Sequence, residues 1–162
     1  AVTSTLLACE IASQCKAEGS SFYDYLIDCY LKYGLYQEKL VSITKKGKKG
    51  AEEIEQMMLN FEQSPPSTIA GSKVKFFEDY ANSEKTNLFS GEKTAITLPK
   101  SKVFIFETED GSRVAARPSG TEPKIKFYIS VNTSLNSRED YPSKQEELET
   151  KINAILREFK LN

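Results

Sequence analysis

Val103-Phe-Ile-Phe-Glu-Thr-Glu-Asp110-Gly111-Ser-Arg-Val-Ala-Ala116, then Arg117-Pro118-Ser119-Gly120-Thr121-Glu122-Pro123-Lys124, then Ile125-Lys-Phe-Tyr-Ile-Ser-Val131 is the stretch that decides the fold. Asp110-Gly111 separates two β-rich runs, Lys102 to Glu109 and Ser112 to Arg117, which predicts a hairpin. Past the loop, Ile125, Phe127, Ile129 and Val131 alternate with Lys126, Tyr128 and Ser130. That alternation predicts a half-buried strand with its apolar side on a core. The eight residues between these strands therefore form a bend at a sheet end.

The bend is chemically dense. The Arg117 fork can place two parallel charge-assisted hydrogen bonds on phosphate oxygens. The Ser119 and Thr121 hydroxyls can donate to the same oxygens. Gly120, lacking a Cβ, tolerates positive φ and lets the backbone N–H groups approach an anion. Pro118 and Pro123 stiffen the ends and so reduce the entropy lost on binding. By alternation Lys126 faces away from the apolar side, and Lys124 shares its face. The expected anion site is Arg117, Ser119, Gly120 and Thr121, then Lys126, then Lys124. Glu122 either orients a basic neighbour or is a solvated carboxylate. Composition alone also allows a plain turn between strands, since Pro, Ser and Gly are turn residues.

The run from Arg117 to Lys124, continued by Ile125-Lys126-Phe127-Tyr128, resembles the signature of the α-D-phosphohexomutase family, in its phosphoglucomutase/phosphomannomutase branch. The resemblance implies a TBP-like fourth domain whose Arg-x-Ser-Gly-Thr loop grips the sugar phosphate that is not reacting. The basic residue matching Lys126 is implied to help hold that phosphate. The run from Tyr25 to Tyr36 is similar to the end of the family's third domain, so residues 1–38 are expected to be the tail of that domain and 39–162 the phosphate-binding domain. The phosphoserine, the Asp-rich loop that binds Mg2+ and the sugar-reading loop of the other three domains have no counterpart in this chain. No catalytic residue, metal ligand or cofactor is therefore expected here, and the fragment alone is expected to be inactive. The implied partners are a phosphosugar and the other domains of the parent chain. A phosphopentomutase, a phosphoglucosamine mutase and a stand-alone phosphate-binding module remain alternatives.

Composition narrows the rest. The chain has 162 residues, enough for one domain or one domain and a fragment, with a net charge of −1. Interspersed charges give no basic face for nucleic acid, and no apolar run is long enough for a bilayer. Histidine is absent, which excludes a Ser-His-Asp hydrolase and a His-ligated zinc site within this sequence. Cys9, Cys15 and Cys29 form no CxxC pair and read as small buried hydrophobes in a reducing, cytoplasmic setting. Gly91-Glu92-Lys93-Thr94 lacks the frame of a P-loop. Ala1 to Ala8 lacks the charged n-region of a signal peptide, and the abrupt start inside a helical pattern suggests an excised piece.

Outward from the loop, residues 2–18 predict a helix that is apolar on several sides and so buried. Ser21-Phe22-Tyr23-Asp24 predicts a capping box for a second helix ending at Gly34. Leu40 to Ile43 predicts a strand or extended connector, and the basic run Lys45 to Gly50 a solvated turn. Gly50 then precedes a helix with Ile54, Met57, Met58 and Phe61 on one face. Val74 to Tyr80 reads as a strand, Ala81 to Lys93 as polar and turn-rich, and Ser143-Lys144-Gln145-Glu146 as a capping box for a last helix. The expected class is α+β: an antiparallel sheet of about four strands with helices on one face, preceded by helices left from the preceding domain.

Overall fold

The structure is a computed structural model that describes residues 2–161. It divides into two compact units, Ala1–Tyr36 with Thr133–Glu147, and Gln37–Asn132 with Leu148–Asn162.

The first unit holds α1 (Val2–Ala17) and α2 (Phe22–Tyr33). The capping box of α2 forms: the Ser21 hydroxyl accepts from the Asp24 N–H at 3.1 Å and the Asp24 carboxylate accepts from the Ser21 N–H at 3.0 Å. Gly34, at φ 93°, ends the helix by donating its N–H to Tyr30. Arg138 reaches both Asp24 and Asp28, and Tyr141 stacks on Tyr30 with centroids 6.1 Å apart. Ser21, with Arg138 behind it, holds the Asp24 carboxyl below its ordinary range. The burial expected for α1 is not seen, as Val2, Leu6 and Leu7 are exposed. Its apolar residues lie on more than one side, and α2 beside it can cover only one. Of the cysteines, all free, Cys15 is buried, Cys29 half-buried and Cys9 exposed, which corrects the expectation of three buried thiols.

The second unit is built on a sheet of eight strands, not about four. They are β1 (Leu35–Thr44), β2 (Thr68–Ile69), β3 (Ser72–Asp79), β4 (Glu84–Asn87), β5 (Lys93–Ala95), β6 (Phe104–Thr108), β7 (Arg113–Pro118) and β8 (Lys124–Thr133). Their order is β1-β8-β7-β6-β3-β4-β5, with β2 paired to β3. The pairings β6–β7 and β7–β8 are antiparallel and put the bend at the end of a hairpin. The segment expected to be polar and turn-rich, Ala81 to Lys93, has turns at 81–83 and 88–90 with β4 between them, and β5 starts at its end. Their residues are polar and do not alternate. Register against β3 and the ion pairs Lys85–Glu78 (2.9 Å) and Lys93–Glu84 (2.8 Å) support them instead.

Alternation governs the central strands. Phe104, Phe106, Val114, Ala116, Ile125, Phe127, Ile129 and Val131 are all buried. Against this face lie α3 (Gly47–Gln63), through Ile54, Met58 and Phe61, and the buried stripe Leu148, Ile152, Ile155 and Leu156 of α4 (Tyr141–Glu158). Phe61 of α3 and Phe159, just past the end of α4, both meet Phe127, at 6.3 and 6.1 Å between centroids. Each fully buried Ile or Phe contributes about 1.5–3 kcal/mol. Both helices occupy the inner face, so the outward face of β7 and β8 is left to carry chemistry.

Two helix starts differ from expectation. α3 begins at Gly47 rather than after Gly50, so half of the basic run is its first turn. Gly50 is buried there because a Cβ would lie 2.5 Å from Lys45 Cβ. α4 begins at Tyr141, ahead of the predicted box, and the Ser143 hydroxyl donates to the Asp140 carbonyl at 2.9 Å. Pro142 sits comfortably in a first turn because its missing N–H needs no partner.

The β6–β7 turn is a three-residue loop. Gly111, at φ 82°, supplies the left-handed residue, and the Thr108 N–H donates to the Ser112 carbonyl at 2.9 Å. Asp110 accepts from the Thr108 hydroxyl (2.6 Å), the Ser112 N–H (3.1 Å) and Lys151 (2.6 Å). Burial opposes its charge, but Lys151, Thr108 and Ser112 outweigh burial and hold the carboxyl well below the usual carboxylate range. A depressed pKa contributes stability above the ordinary carboxylate value, lost as pH falls toward the native one. Asp110→Asn is therefore expected to cost about 1 kcal/mol at neutral pH. Urea midpoints of variant and wild type should converge in strong acid, and an equal gap at both pH values would refute the assignment.

Candidate functional site

Arg117 lies near the end of β7 and pairs directly with Lys126 of β8, just as Pro118 pairs with Ile125. Their chain neighbours Ala116 and Phe127 are buried and also directly opposite each other, so Arg117 and Lys126 share the outward face. Like charges directly opposite on a sheet destabilise it. Among the described residues no carboxylate pairs with Arg117, Lys124 or Lys126. The chain thus holds three uncompensated cations at one end of one hairpin, an arrangement an anion would relieve.

These cations line a hollow of about 220 Å³ together with Pro118, Ser119, Gly120 and Glu122. The bend is tied down from both sides. The Ser119 N–H donates to the Lys124 carbonyl at 2.7 Å, and the Lys45 N–H donates to the Pro123 carbonyl at 2.8 Å. The Ser119 hydroxyl accepts from the Thr121 N–H at 3.4 Å, which leaves its own proton for a ligand.

The expected site residues do not all meet. Arg117, Ser119, Gly120, Lys124 and Lys126 border the outward hollow, whereas Thr121 does not. Thr121 borders a second hollow of about 600 Å³ on the α3 side, with Ile54, Glu55, Met58 and Lys102. Ser119, Gly120 and Glu122 border both. Gly120 also departs from the expected backbone: its φ is not positive, and a Cβ there would meet nothing within 4 Å. The fold therefore makes no demand for glycine at this position, and the space over it is open to a ligand. Glu122 is exposed and borders both hollows. Lys102 and the α3 residues reach the loop only through long-range packing. Among the described residues no group of three or more His, Cys, Asp or Glu side chains could hold a metal ion.

An antiparallel sheet with two helices on one face and a cation-rich hairpin end defines an α+β domain. Residues 68–134, from β2 through the loop and β8, match the family described as phosphoglucomutase/phosphomannomutase, C-terminal domain. A phosphoglucomutase of Staphylococcus aureus (strain MSSA476) is 40% identical over 125 residues, 77% of this chain and 22% of the relative. A phosphoglucomutase of Staphylococcus epidermidis is 39% identical over 126 residues, 78% of this chain and 23% of the relative. The chain thus spans about a fifth of the length of these curated relatives. Among solved structures, the open form of the exocytosis-sensitive phosphoprotein pp63/parafusin, a phosphoglucomutase from Paramecium, is similar over 85% of this chain and 23% of its own. Identity there is 12% and the TM-score 0.42, too low to add to the sequence match.

Proposed function

We propose that this chain is the phosphate-gripping C-terminal part of a phosphohexomutase that interconverts hexose 1-phosphate and hexose 6-phosphate through a phosphoserine and a bisphosphorylated sugar. In this reading residues 39–162 are the clamp domain and residues 1–38 the tail of the preceding one. Phosphoserine, Mg2+ loop and sugar-reading loop belong to other domains of a cytoplasmic parent enzyme. The observation that carries the reading is the apposition of Arg117 and Lys126 without an acidic partner, at the mouth of a hollow edged by Ser119 and Gly120. A module acting alone would share the loop. The parent-enzyme reading is favoured because 125 residues, 77% of the chain, align with only 22% of a phosphoglucomutase.

The clamp works by positioning. Arg117 takes two oxygens of the non-reacting phosphate through its fork, Lys126 neutralises the same group from a rigid strand, and Ser119 donates its free proton. Binding energy spent on this distant phosphate holds the sugar at the reacting centre. The clamp reads phosphate rather than sugar, so either phosphate of a bisphosphorylated intermediate can occupy it after the sugar reverses. In a titration of the 162-residue chain with inorganic phosphate, the amides of Ser119, Gly120 and Thr121 are expected to shift. Silence at all three would refute the clamp. Glucose 1-phosphate should bind the chain without being turned over.

Glu122 sets a further expectation. It borders the same hollow as Arg117, Lys124 and Lys126, and its negative charge opposes an incoming phosphate. Glu122→Gln should tighten phosphate binding about threefold at low salt, as a like charge at several Å in high dielectric is worth several tenths of a kcal/mol. The gain should shrink at high salt through screening. Weaker binding by the variant would assign Glu122 to orienting a cation instead.

A further inference from the structure

The hollow at the hairpin end has an uneven charge. Arg117 of β7 and Lys124 and Lys126 of β8 border it, and among the described residues Glu122 of the bend is the one acidic side chain beside them. Three cations against one carboxylate leave two positive charges in surplus. The charged groups around the bend do not cancel them. Lys45, whose N–H holds the Pro123 carbonyl, is itself paired with Glu53 at 3.2 Å. On the α3 side of the bend, Glu55 and Lys102 border the larger hollow and match each other in number. Histidine is the side chain that ordinarily changes charge near neutrality, and the chain has none. Cys9, Cys15 and Cys29 border neither hollow.

We infer that this hollow selects its ligand by charge: it takes a terminal phosphate monoester as the dianion and discriminates against singly charged groups, with Lys124 supplying the charge that makes the surplus two. The inference rests on the phosphate-clamp reading and narrows it. A monoester phosphate sheds its second proton near pH ~6 and is a dianion at neutral pH. A phosphodiester, a sulfate ester and a carboxylate each carry one negative charge and leave half of the surplus unmatched. Coulomb attraction scales with the product of the charges, so each surplus cation acts twice as strongly on a dianion as on a monoanion. A free phosphosugar is thereby preferred to a sugar acid and to a sugar joined through a phosphodiester. Because the lining includes neither histidine nor cysteine, affinity between pH 5 and 7.5 follows the ionisation of the ligand.

The test titrates the 162-residue chain with methyl phosphate and methyl sulfate, which differ in charge and little in shape. At pH 7.5 methyl phosphate should bind about three- to tenfold tighter. On going to pH 5 it should lose most of that advantage, while methyl sulfate stays constant. Methylphosphonate, whose second proton leaves at higher pH, should show the same fall displaced upward. Lys124→Gln at pH 7.5 should weaken methyl phosphate about threefold and methyl sulfate less than twofold. Glu122→Gln should keep the fall with pH, since the ionising group is on the ligand. Equal affinity for the two esters, a profile that methylphosphonate does not displace, or a profile lost in Glu122→Gln overturns charge selection while the clamp stands. Equal loss of both esters in Lys124→Gln overturns the part given to Lys124. If wild type fails to bind methyl phosphate at pH 7.5, the clamp falls and charge selection with it.

Discussion

Replacing Arg117 by alanine is expected to weaken glucose 1-phosphate binding about 100-fold. Two charge-assisted hydrogen bonds at roughly 1.5–3 kcal/mol each, discounted for an exposed site, leave about 3 kcal/mol. Arg117→Lys should recover only part of this, with binding still about tenfold weaker, because a point charge replaces a planar fork. The fold should not suffer. Arg117 stands opposite Lys126 with no acidic partner, so removing one of two like charges leaves stability unchanged or raised by a few tenths of a kcal/mol. In the intact parent enzyme kcat/KM should fall by the same factor, since the lost contact serves a phosphate remote from the chemistry. Calorimetric titration alongside urea unfolding separates the two effects. Wild-type affinity in Arg117→Ala would end the assignment of this residue, and a large loss of stability would show that the cation serves the hairpin instead.

Phe106→Ala is expected to cost about 3–5 kcal/mol of stability, the range for emptying a fully buried aromatic site. Phe106 is 0% exposed, stacks on Phe77 at 5.4 Å with rings 11° apart, and meets Phe61 of α3 edge-on at 5.4 Å and Phe159 at 6.3 Å. Sheet, α3 and the chain after α4 converge on it. Against a total near 5–15 kcal/mol this loss is severe, and Tm should fall by about 10–15 °C. Phe106→Leu should lose about a third as much, because most of the volume stays. Phosphate affinity below the transition should be unaltered, as Phe106 is inward-facing and the hollow is not. A cost under about 1.5 kcal/mol would mean the helices close over the gap, and the core would then be looser than its ring geometry implies.

How much of this was legible in the sequence depends on the element. The strand at Ile125 to Val131 was legible because one face is buried and the other wet, so apolar residues recur at period two. The Asp110-Gly111 turn was legible because Gly111 adopts the left-handed backbone that the turn requires. β4, Glu-Lys-Thr-Asn, was not legible, since all four residues are half-exposed and its pairing is set by β3. The start of α4 was missed for a related reason: Ser143 to Glu146 has the letters of a capping box, yet helix entry is two residues earlier at Tyr141.

At the site the chemistry of the residues was readable and their grouping was not. Arg117, Ser119, Gly120, Thr121, Lys124 and Lys126 were all named by their functional groups and by likeness to one loop signature. That Thr121 borders the α3 side, and that Glu122 borders both hollows, depends on where each side chain leaves a bent backbone.

By itself, then, the order of residues determined the strand–bend–strand, the inner and outer faces of its strands and the match of residues 68–134 to a known family, because each follows from local periodicity or a contiguous motif. Only the tertiary structure decided the register that sets Arg117 against Lys126 and the extension of the sheet to eight strands. It alone decided which residues of the bend share the cation-lined hollow. Those depend on hydrogen bonds and packing between segments far apart in the chain, whose energies no short window of sequence contains.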